Sequence, residues 1–167
     1  MATAASDTSL RLRPFARADG DALAVLHGEA IRRSGTAYYS MAELESWATG
    51  LSAVLYAQAI EAGETIDVAV DELDAPIAFC SRLAEGVAGL YVHPDWQGRG
   101  AGAALLRLAE DALVQDGLTR LKLDASLPAV SFYERRGYKS VEERTFKSRG
   151  GLEMACERMI KQMDEAR

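Results

Sequence analysis

Glycine stands at positions 98, 100 and 102 within "HPDWQGRGAG" (residues 93–102), immediately before an apolar helical pattern. Glycine costs backbone entropy, so a cluster at a helix start marks unusual backbone angles or the close approach of a ligand. Unpaired N–H groups and positive potential at a helix N-terminus point to a phosphate. A tight surface turn is the competing reading of the same residues. The flanks restrict the choice of folds. "GVAGLYV" before the cluster reads as a strand, ended by His93-Pro94 because proline cannot continue a ladder. After it, Ala101, Leu105, Leu108, Ala109, Ala112 and Leu113 mark one helix face, and Gly117 follows as a stop.

The rest of the chain alternates the same two periods. "SLRLRPF" is a short strand stopped by Pro14. Residues 18–35 read as a helix with Asp19 as cap, Leu23 and Leu26 on one face, and Gly35 at its end. Ser40 and Glu43 form a capping-box signature for a second helix carrying Leu44, Trp47, Ala48 and Leu51. A third helical stretch runs to Gly63. "TIDVAV" and "PIAFCSRL" flank the turn "DELDA" as an antiparallel hairpin. Beyond the glycine-loop helix come the strand "RLKLDA", the short helix "PAVSFYERRG" and the strand "YKSVEERTF". The imperfect alternation of Leu152, Met154, Cys156 and Met159 suits a last strand with a bulge. This order implies a single α/β domain, a mixed and mostly antiparallel sheet with helices on both faces. Its expected span is 9–162, after a loose leader at 1–8 and before a tail at 163–167.

Charge and cysteine content exclude several functions. A chain of 167 residues fits one domain with a full core. Its net charge of −6, with no long basic run, argues against nucleic acid or an anionic membrane as partner, so a phosphate site must be local. Cys80 and Cys156 form neither a CxxC pair nor a disulfide framework; they read as small core residues in a reducing cytosol, with no metal site. "MATAASDTSL" lacks the basic start and apolar core of a signal peptide, and no segment approaches membrane-spanning length. The expectation is a cytoplasmic monomer or homodimer.

"GRGAGA" also satisfies G-x-G-x-x-A, with Asp124 about as far downstream as a ribose-binding acid in a dinucleotide fold. Residues 93–97 intervene between strand and first glycine, however, and too little chain follows Gly102 to complete a βαβαβ half. A P-loop lacks its Lys-Ser or Lys-Thr pair.

"LYVHPDWQGRGAGAALL" followed by "AVSFYERRGY" resembles the acyl-CoA-binding region of the GCN5-related N-acetyltransferase family. Gln97, Gly100 and Gly102 occupy the family's pyrophosphate loop, Gln/Arg-x-x-Gly-x-Gly/Ala. Phe132-Tyr133 and Gly137-Tyr138 match its later segment, and the similarity spans about Gly86 to Tyr138. The resemblance implies an acyl-CoA N-acyltransferase fold with strands splayed at the cofactor site, acetyl-CoA as cosubstrate and no metal. It implies that amides of Gln97, Gly98, Arg99, Gly100, Ala101, Gly102 and Ala103 wrap a pyrophosphate, aided by the helix dipole. Backbone of Leu90 and Val92 pairs with the pantetheine arm, a backbone N–H near Val92 polarises the carbonyl, and Tyr133 protonates the leaving thiolate. Arg135, Arg136 and Lys139 are candidates for the distal phosphate or a solvated basic face.

Two residues depart from the family pattern. Many relatives carry an acid on the strand before the loop, where this chain has Ala88; Pro128 stands where relatives often have a pantetheine-holding asparagine, with Ser126 as a replacement. Glu85, His93, His27, Glu29 and Asp124 are substitute bases, none singled out. The acceptor, a small-molecule or peptide amine, belongs between the first helices and the last strands, where "TAYYS" reads as a binding loop or a plain helix start. The acidic balance favours a cationic amine. Three functions follow: an acetyl-CoA-dependent N-acetyltransferase, a non-catalytic acyl-CoA-binding module or sensor, and a nucleotide-binding oxidoreductase.

Overall fold

Alternation along the central strands sorts their side chains between two helical layers. On β2 (Thr65–Val70), Ile66, Val68 and Val70 point to one side and meet Leu23 and Leu26 of α1 (Gly20–Ser34) and Tyr56 of α3 (Ala53–Glu61). Ala69, with Ala78 and Cys80 of β3 (Pro76–Leu83), points the other way, into a core built with α4 (Ala101–Gln115) and α5 (Val130–Glu134). A third cluster joins α2 (Met41–Ala48) to Ile31 and Met154 through Leu44, Trp47 and Ala48. The computed structural model describes residues 10–164, so the leader expected at 1–8 and positions 165–167 of the expected tail lie outside the described residues. No helix among those described is long and apolar enough to cross a membrane.

The sheet is divided in two. β1 (Arg11–Pro14), β2, β3 and β4 (Gly86–Val92) form one antiparallel set. β5 (Arg120–Ser126), β7 (Glu153–Gln162) and β6 (Lys139–Lys147) form another, in the order β5-β7-β6. β4 and β5 are the neighbours across the division. They touch at their first residues: a Cβ on Gly86 would lie 1.9 Å from the Lys122 carbonyl oxygen, and Glu85 pairs with Lys122 at 2.8 Å. Their last residues, Val92 and Ser126, instead face a common cleft. Two parallel strands therefore begin together and splay apart.

A bulge accounts for the divergence. Ser81 pairs with Gly89 and Arg82 with Val87, which leaves Ala88 as an extra residue on β4. Such an insertion bends its strand and increases its twist. The bulge expected in the last strand lies elsewhere: Ser140 pairs with Met159 and Glu142 with Arg158, so the extra residue is Val141 of β6. β7 is regular against β5, and its broken alternation reflects burial on two faces, Met159 toward α4 and Met154 toward α2.

Local signals are realised with two substitutions of role. Ser40 and Glu43 make both bonds of the capping box, at 3.1 and 2.7 Å. Asp19 does not cap α1 with its side chain; it accepts from the Ala16 N–H at 2.7 Å and receives Arg13 bidentately at 2.8 and 2.9 Å. On α4 the buried stripe contains Leu106, and Leu108 is turned outward.

Candidate active site

The splay opens into a cleft of about 810 Å³, bounded by the C-terminal half of β4, the start of α4, the end of β5, α5 and the C-terminal end of α1. The direction of the β4 backbone inside it follows from one bond. His93 N–H donates to Ile77 O on β3 at 2.8 Å, so by alternation Tyr91 also addresses β3, while Leu90 and Val92 present N–H and C=O to the gap. The Val92 carbonyl accepts from Gln97 Nε2 at 3.4 Å, consistent with that direction.

The glycine loop closes one end. Gly98 and Gly100 adopt φ of +76° and +90°, a region that penalises any residue with a Cβ. Gly100 is the N-cap of α4, and the first helical bond runs from Ala104 N–H to its carbonyl at 3.0 Å. The N–H groups of Ala101, Gly102 and Ala103 consequently have no helical acceptor. Gln97, Gly98, Gly100, Ala101, Gly102 and Ala103 all line the cleft with Leu90 and Val92. Arg99 does not: its guanidinium lies over the Trp96 ring, 4.7 Å from the centroid. The Gln97 side chain is held structurally, donating to Ser34 Oγ at 3.1 Å and so tying α1 to the loop. Arg135 and Arg136 line the same end, Arg136 stacking on Phe132 at 3.8 Å; Lys139 does not.

Tyr133 enters from α5. It is 5% exposed, packs edge-to-face on Phe132 and Tyr138, and borders the cleft. Burial raises its phenol well above the ordinary tyrosine range, so it stays protonated. Its hydroxyl makes no hydrogen bond to another described residue.

None of the candidate bases lines this space. Glu85 pairs with Lys122 at the closed end of the strands. Asp124 is held by Arg158 at 2.6 and 3.1 Å. Glu29 pairs with Arg33 at 3.8 Å, and His93 Nδ1 accepts the Asp95 N–H at 3.1 Å. His27 lies behind Tyr91, ring centroids 3.9 Å apart, bonded to Tyr56 Oη at 3.1 Å. Burial drives it down to about 3, so it is neutral.

"TAYYS" divides its work. Tyr38 is exposed and lines the cleft; Tyr39 is buried and donates to Ala155 O at 2.6 Å while accepting Leu127 N–H at 3.0 Å. It pins the α1–α2 loop to the end of β5. Ser126 and Pro128 both line the cleft. Tyr91 and Trp47 line it too, although their sequence pattern marks Trp47 only as core and Tyr91 only as strand.

A family model described as an acetyltransferase (GNAT) domain matches residues 35–157. An uncharacterised N-acetyltransferase of Escherichia coli K12, YafP, is 25% identical over 142 residues, covering 85% of this chain and 89% of its own. The crystal structure of a GCN5-related N-acetyltransferase from Rhodopseudomonas palustris superposes with a TM-score of 0.84 at 28% identity, covering 92% of this chain and 95% of its own. The PaiA N-acetyltransferase of Thermoplasma acidophilum, solved in complex with coenzyme A, shares the fold with a TM-score of 0.73 at 19% identity, over 92% of this chain and 99% of its own.

Proposed function

The chain belongs to the GNAT acetyltransferase family, and on that premise we propose that it moves an acetyl group from acetyl-CoA to a primary amine by direct attack, with both substrates bound together. Acetyl-CoA supplies the acetyl group as a thioester. The free N–H groups of Ala101, Gly102 and Ala103, with the loop backbone at Gly98 and Gly100, hold its pyrophosphate at the positive end of α4. Leu90 and Val92 pair through their gap-facing backbone with the amide-like groups of the pantetheine arm, and a backbone N–H near Val92 polarises the acyl carbonyl. Arg135 and Arg136 stand toward the distal phosphate. Arg99, stacked on Trp96, reaches an anion only by leaving that ring.

Tyr133 is the general acid. As the amine nitrogen bonds to the acyl carbon and the C–S bond breaks, Tyr133 gives its proton to the leaving sulfur, and the proton the amine gives up passes through water to restore the Tyr133 phenol. The observation that carries this reading is a single geometry. The gap-facing backbone of Leu90 and Val92, the open start of α4 and a protonated buried phenol border one cleft.

Incubation with acetyl-CoA and a panel of primary amines, following free thiol and acetylated product, tests it. Product is expected with at least one amine. Tyr133→Phe should lower turnover by roughly 10²–10⁴-fold, nearer the lower end because a thiolate departs tolerably unaided, with CoA affinity changed by less than about tenfold. CoA binding without product from any amine would identify a non-catalytic acyl-CoA-binding module instead.

A further inference from the structure

Resting on the acetyltransferase reading of the cleft, we infer that its acceptor end receives a weakly basic amine attached directly to an aromatic ring, bound as the neutral base, in preference to an alkylammonium or a polycation. The walls there are rings and hydrocarbon: Tyr91 and Trp47, centroids 6.3 Å apart at 63°, with Ile31 below and Tyr38 at the rim, 56% exposed. The charged side chains that line the cleft are Arg33, Arg135 and Arg136, and among the described residues no Asp or Glu lines it. Two carboxylates stand at the margin, and both are engaged by Arg33: Asp95 at 3.1 Å and Glu29 at 3.8 Å. An ammonium moved from water into such a place loses hydration and meets no unpaired carboxylate among the described residues that line it.

Aromatic walls can also hold cations over their faces. Here the faces are largely covered. His27 packs on Tyr91 at 3.9 Å and the Phe79 ring lies 5.4 Å from that of Tyr91, while Trp47 is 8% exposed among Tyr39, Tyr91 and Phe146. These neighbours occupy ring face that a stacked cation would need.

An aromatic amine also removes the need for a dedicated base. It enters with its lone pair free, and β4 carries Ala88 at the bulge where an acid would be sought. The whole-molecule charge of −6 points the opposite way, toward cations. Exposed charges are screened beyond a Debye length of roughly 8–10 Å, so the groups lining the cleft decide.

Two isomers separate charge from size: 4-methylaniline, neutral at neutral pH, and benzylamine, cationic there. Calorimetric titration of the CoA-loaded protein should give 4-methylaniline at least ~10-fold the affinity of benzylamine. Raising the pH toward the benzylamine pKa should narrow the gap, leaving 4-methylaniline unchanged. Equal or tighter benzylamine binding at neutral pH, or binding of neither, would overturn the inference. Thiol release in separate reactions, with acetyl-CoA in place of CoA, distinguishes the two claims. Preferential 4-methylaniline binding with no turnover of it or of any amine in the panel supports the recognition and sinks the transferase, whereas turnover confined to benzylamine does the reverse.

Discussion

Burial acts on Tyr133 and His27 in opposite senses of charge but to the same end, since each is held neutral. For Tyr133 that keeps the phenol protonated. For His27 it creates a pH liability. The imidazole falls from an ordinary 6.5 to about 3, and its Nε2 has no partner among the described residues. Below pH ~6.5 the unfolded chain takes up a proton that the folded chain refuses, so stability declines as pH falls toward ~3, by about 1.4 kcal/mol per unit. The depressed pKa places this stability above the unfolded value, not below it. Urea unfolding across pH 7 to 4 should show the decline, and His27→Gln should flatten it by about one proton. Parallel profiles for the two proteins would show that His27 is protonated without cost in the fold.

Between elements, the decisive contact is Gly86 against Lys122, where β4 and β5 are pinned before they diverge. A Cβ at residue 86 would overlap the Lys122 carbonyl, which is backbone and cannot rotate away. Gly86→Ala should therefore cost at least ~2 kcal/mol, at the upper range of overpacking, measured by denaturant midpoint at constant m-value. A neutral substitution would mean that the strands are not pinned there. Most elements were legible because each announces itself locally: the Ser40–Glu43 box, the proline ending β4, the glycine that opens α4. The bulges at Ala88 and Val141 were not, because nothing in either residue's chemistry signals an extra position; register is set by the partner strand. The Arg13–Asp19 pair was missed for a related reason, since a local cap explains Asp19 until the neighbouring strand is in place.

Across the whole molecule, the cleft wall from Leu90 to Ala103 was readable because strand, loop and helix follow one another in the chain. The opposite wall was not. It comes from α1, α2, the loop between them and β4, and Trp47 and Tyr91 look like core residues until the layers assemble around them. Net charge averages over the whole surface, whereas the charged residues lining the cleft are Arg33, Arg135 and Arg136. In the proposed reading the start of α4 holds the pyrophosphate of acetyl-CoA, which depends on Gly100 at φ +90°. Calorimetric titration of CoA into the wild-type protein and Gly100→Val tests it most directly, with circular dichroism to establish that both are folded. One CoA should bind per chain, the variant should bind at least ~10-fold more weakly, and the loss should persist at physiological salt because amides and not a basic surface provide the contact. Unchanged affinity in a folded Gly100→Val protein would contradict the account and reduce the glycine loop to a turn.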